Sequence, residues 1–66
     1  MCKFKAERLI KEALNKRNCK FVGSRLKEGL LIVIFIGVRG DYQHAIFPYR
    51  FMNEKDIENM VMRVVY

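Results

Sequence analysis

Residues 30–38 read Leu30-Leu31-Ile32-Val33-Ile34-Phe35-Ile36-Gly37-Val38, an apolar run set between Gly29 and Gly40. It is far shorter than the ~20 residues a helix needs to cross a bilayer. Its β-branched content and flanking glycines favour a strand over a buried helix. Side chains alternate across a strand, so Leu30, Ile32, Ile34, Ile36 and Val38 point one way and Leu31, Val33 and Phe35 the other. Neither side is polar. A strand with one solvated face alternates cleanly between apolar and polar, and this one does not.

The segments on either side make this run the middle of a sheet. Lys27-Glu28-Gly29 carries turn residues, and residues 19–26 before it read as a strand. Arg39-Gly40-Asp41 marks the next reversal, with Gly40-Asp41 suited to a two-residue hairpin loop. Residues 42–49 form a third strand, and Pro48 within it predicts a sheet edge. Short connections join neighbours, so the expected sheet is a three-stranded antiparallel meander of order 1-2-3. With these two loops, Ile32, Ile34 and Ile36 share a face with Phe21, Ala45, Phe47 and Tyr49. Leu31 and Phe35 then share the other with Val22, Leu26 and Ile46.

Helices bracket the meander. Over 4–16, Ala6, Leu9, Ile10, Ala13 and Leu14 recur at the spacing of one helical face. Asn18 beyond it suits a left-handed helix stop. Over 54–65, Ile57, Met60, Val61, Val64 and Val65 form the apolar stripe. Asn53 is placed to cap that helix, Met52 to staple it, and Glu54, Asp56 and Glu58 sit at its positive end. The expected fold class is α+β: a single small two-layer domain over 1–66, α-β-β-β-α, with the helices packed on one face of the sheet.

Two such helices cover one face of a three-stranded sheet and leave the other bare, a larger apolar patch than monomers expose. The expectation is a homodimer, or a protein partner, docked through Leu31, Ile32, Val33, Ile34, Phe35 and Phe47. One helix on each face is the alternative that needs no partner. Oligomerisation would also supply stability to a chain of 66 residues, which buries only ~60% of its unfolded surface.

Apolar content of 52% argues against disorder. Cys2 and Cys19 are too few for a disulfide framework and are expected reduced, in the cytoplasm. Nothing near Lys3 and Lys5 resembles a secretion signal, and no membrane association is expected. The net charge of +6 is uneven: residues 1–29 carry nine Lys or Arg against three Glu, and residues 30–66 carry four against four acids. Such asymmetry points to an anionic partner. Lys11, Lys16, Arg17, Lys20, Arg25 and Lys27 are the candidate nucleic-acid-binding stripe, able to neutralise phosphates without reading sequence. Exposed aromatics beside them would strengthen the reading, and Phe4 and Tyr66 are the candidates.

Catalytic signals are absent from the spacing. His44, the only histidine, has no Ser, Cys or Asp at a triad-like interval, and no metal or cofactor is expected. Arg39-Gly40-Asp41 is read as turn chemistry, and Gly23-Ser24-Arg25 precedes no helix able to bind phosphate. The element order is similar to that of double-stranded-RNA-binding domains and of HicA-type toxin ribonucleases. The motifs differ. Those RNA-binding domains place a lysine cluster where this chain has Asn53-Glu54-Lys55-Asp56, and the toxins a histidine where Arg25 follows Gly23-Ser24. Shared order does not carry function across. The expectation is a small non-enzymatic, dimeric binding protein whose basic half engages nucleic acid or another polyanion. A protein-interaction module docking through the apolar sheet face is second, and a ribonuclease using His44 third.

Overall fold

The spacing of apolar residues at the N-terminus produces helix α1 (Lys3–Lys16), whose buried side is Ala6, Ile10, Ala13 and Leu14. The helix stops as expected, with Asn18 at φ 59°. In this computed structural model, which describes residues 1–65, three strands follow: β1 (Lys20–Lys27), β2 (Leu30–Ile36) and β3 (Tyr42–Phe47). A short 3₁₀ turn (Tyr49–Phe51) leads into helix α2 (Glu54–Val65). The sheet is antiparallel in the order β1-β2-β3, and the fold is α+β with both helices on one face.

Asn53 closes the start of α2 as its sequence predicts. The Asp56 amide donates to Asn53 Oδ1 at 2.8 Å, and the Asn53 amide donates to Asp56 Oδ2 at 3.1 Å. The pair satisfies two amides that the first helical turn would leave unbonded. Met52 packs, partly buried, against the core.

Glu28 and Gly29 both lie at positive φ, 52° and 78°, the geometry of a tight two-residue hairpin that matches strand twist. The second hairpin differs from its expectation. Its loop is the three residues Val38-Arg39-Gly40, closed by a hydrogen bond from the Gly37 amide to the Asp41 carbonyl at 2.9 Å. Gly40 takes the left-handed position, φ 84°, that such a loop requires. β2 therefore ends at Ile36 and pairs it with Tyr42.

This loop changes the company each side chain keeps. Ala45 and Phe47 oppose Val33 and Leu31, while Ile46 opposes Ile32, the reverse of the arrangement a two-residue loop would give. A register change of odd size moves a whole strand to the other face. Phe21 also joins the inner face, opposite Phe35, because β1 bulges between Phe21 and Gly23 and Val22 is the extra residue. Pro48 lies just past the last residue of β3, an edge strand, where its missing amide breaks no ladder.

The core lies between the helices and the inner sheet face. Leu31, Val33, Phe35 and Phe47 are at most 1% exposed, and Ile10, Leu14, Ile57 and Val61 meet them from the helices. Tyr49, expected to end the third strand, turns into the core from the 3₁₀ segment. Both cysteines are free, Cys19 buried and Cys2 exposed. No helix among the described residues is long and apolar enough to cross a membrane.

Candidate binding surface

The outer sheet face is built of rungs that run across the strands. One joins Lys20, Ile36 and Tyr42; the next joins Gly23, Ile34 and His44; the third joins Arg25, Ile32 and Ile46; and Lys27 lies opposite Leu30. Bases thus line the β1 side, aliphatic side chains the centre, and Tyr42, His44 and Ile46 the β3 side. Neither helix covers this face. Ile34 and Ile46 are 40% and 46% exposed and Tyr42 is 72% exposed. Among the described residues, no strand position on this face is acidic. A shallow depression of about 460 Å³ opens between Arg25, Ile32, Ile34, Tyr42, His44 and Ile46.

The six expected bases do not form one stripe. Lys20, Arg25 and Lys27 stand together on the outer sheet face, because β1 alternates and its inner positions go to Phe21, Ser24 and Leu26. Ser24 is held inward by donating to Glu7 Oε1 at 2.9 Å. Lys11 is elsewhere, on α1, beside a groove that it forms with Phe4, Arg8 and Phe21. Phe4 is exposed there with Lys3 Nζ 5.8 Å from its ring centre, and Tyr66 lies outside the described residues. Lys16 lies in the seam between the helices among Glu12, Glu54 and Glu58. Arg17 is committed to the fold: Nη1 donates to the Ala13 carbonyl at 2.9 Å and Nη2 pairs with Glu58 at 3.6 Å. Burial of most of its side chain leaves little of the guanidinium for a ligand.

The expected interface set divides in the same way. Leu31, Val33, Phe35 and Phe47 are sealed under the helices and cannot meet a partner without unfolding. They share the inner face because the three-residue loop pairs β2 with β3 in that parity. Ile32 and Ile34 remain on the open face. Tyr42, His44 and Ile46 are the surface residues that sequence reasoning missed. Recognising Val38-Arg39-Gly40 as a loop with glycine in the left-handed position would have placed them beside the two isoleucines.

His44 is exposed, opposite Ile34. No group of three or more His, Cys, Asp or Glu among the described residues is placed to hold a metal ion. No family model, curated protein or solved structure matches this chain.

Proposed function

We propose that this chain is a small binding protein that engages nucleic acid through the outer face of its sheet. The observation that carries the reading is the coincidence, on one uncovered face, of Lys20, Arg25 and Lys27 with an apolar centre and no acidic strand position. Bases so placed attract phosphates and release their counterions. The apolar centre gains from burial against a ligand that has an apolar surface of its own.

Three phosphate contacts give a plot of log affinity against log salt a slope of about −2 to −3. Raising salt from about 50 to about 200 mM should weaken binding roughly 20- to 40-fold. The triple variant Lys20→Glu, Arg25→Glu, Lys27→Glu should lose both the affinity and the slope. Those side chains are exposed, so the fold should survive. Binding that ignores salt and these three changes defeats the reading.

A dimer across the same face is the second reading, supported by the exposed Val22, Leu30, Ile34 and Ile46. Its weakness is size and charge. Three strands of about six residues give a footprint of roughly 14 by 20 Å. Two copies then cover only about 560 Å² of such a footprint, well short of the ~1,200 Å² at the lower edge of stable interfaces. They also bring two sets of three bases into one contact. Light scattering that finds a monomer at micromolar concentration removes this option.

A further inference from the structure

The outer face is two-sided along its length. Its bases belong to β1, at one edge, and its rings belong to β3, at the other. About 10 Å separates those edges, two inter-strand spacings. Between them Ile32, Ile34 and Ile36 make an apolar floor, and Tyr42 and His44 stand two residues apart, about 7 Å along the strand. We propose that this face takes an unpaired nucleic-acid strand lying along β2, its phosphates toward Lys20, Arg25 and Lys27 and its bases laid over the floor toward Tyr42 and His44.

The face and an unpaired strand have matching asymmetries. An unpaired strand has the same two-sided character, an anionic backbone along one side and flat π-faces along the other. Base stacking on aromatic rings is tolerant of sequence and needs a ring that is free on one side. Tyr42, at 72% exposure, meets that requirement. The depression bounded by Arg25, Tyr42, His44 and Ile46 offers a concave seat with a guanidinium on its rim. A duplex fits less well, since its bases are stacked inside and its contacts are made through phosphates, sugars and groove edges. The apolar floor would then be covered by charged backbone and gain nothing. A second copy brings its own three bases and, among the described residues, no acidic strand position to the face. Charge therefore favours the anionic strand.

This inference rests on the nucleic-acid reading above, and the two can fail separately. Labelled oligothymidylate of about 12 nucleotides and a blunt duplex of the same length are titrated with the full chain, with anisotropy as the readout. The single strand should bind at least about tenfold more tightly. Tyr42→Ala should weaken it about 5- to 150-fold, the range for loss of one stacked base. Tyr42→Phe keeps the ring and should bind like the unaltered chain. The chain has three tyrosines and no tryptophan, so stacking also has a readout that needs no destabilising change. Tyrosine fluorescence should be quenched by the oligonucleotide, and part of that quench should vanish in Tyr42→Phe while affinity stays. Equal binding of strand and duplex, or a quench unaltered by Tyr42→Phe, overturns the stacking inference and leaves the basic-face reading standing. If neither probe binds, both fall.

Discussion

Leu31, Val33 and Phe35 alternate along β2 with Ile32, Ile34 and Ile36, and the two sets differ little in hydrophobicity. Their surroundings differ completely. The first set is sealed against Ile10, Leu14, Ile57 and Val61, with Phe21, Ala45 and Phe47 beside it. The second set has only its sheet neighbours, with Lys20, Arg25 and Lys27 at one side and Tyr42 and His44 at the other. Apolar character alone therefore does not separate a residue that holds the fold together from one available to a ligand. Neighbours do. The inner face carries aromatic and small side chains that interlock with helices. The outer face carries unmatched bases and a free ring.

The sharpest way to break the comparison is to truncate one member of each set. Phe35→Ala should cost about 3–5 kcal/mol, through lost burial and the cavity left behind. A domain of this size has a total stability of roughly 3–10 kcal/mol, so the variant should lose a large share of it and unfold at much lower urea. Ile34→Thr, next along the same strand, keeps a β-branched side chain and should cost about 1 kcal/mol or less. Urea unfolding followed by circular dichroism measures both. Comparable losses at the two positions would mean that the outer face is also packed in solution.

A smaller effect is expected where the helical layer is fixed locally. Asn53→Ala removes the acceptor for the Asp56 amide and should destabilise the domain by about 1 kcal/mol. The cap lies outside the sheet's outer face, so oligonucleotide affinity should be unchanged under folded conditions. A parallel loss of affinity would place part of the binding surface at the start of α2.

Much of this arrangement was legible in the residues. Asn53 at the start of α2, Asn18 beyond α1, and Glu28-Gly29 between the first strands each act locally, so their geometry follows from a few neighbouring positions. The apolar run of β2 marked the central strand through composition alone. The faces were harder. One added loop residue at Val38-Arg39-Gly40 reverses the parity of β3, and the bulge at Val22 reverses Phe21, because side-chain direction has a period of two. The six expected bases are dispersed for another reason. Arg17 is drawn away by Glu58 and Lys16 lies among acids of α2, contacts between residues far apart in the chain. Lys20, Arg25 and Lys27 survived as a group because alternate strand positions share a face, give or take a bulge.

The outer sheet face is the proposed working surface, and methyl-labelled NMR reads that face directly. Isoleucine methyl resonances are followed while unlabelled oligothymidylate is added to the full chain. Ile32, Ile34, Ile36 and Ile46 should shift together and saturably, while Ile10 and Ile57 in the core stay in place. Shifts confined to residues on the helical side, or none on the outer face at saturating oligonucleotide, would contradict that role.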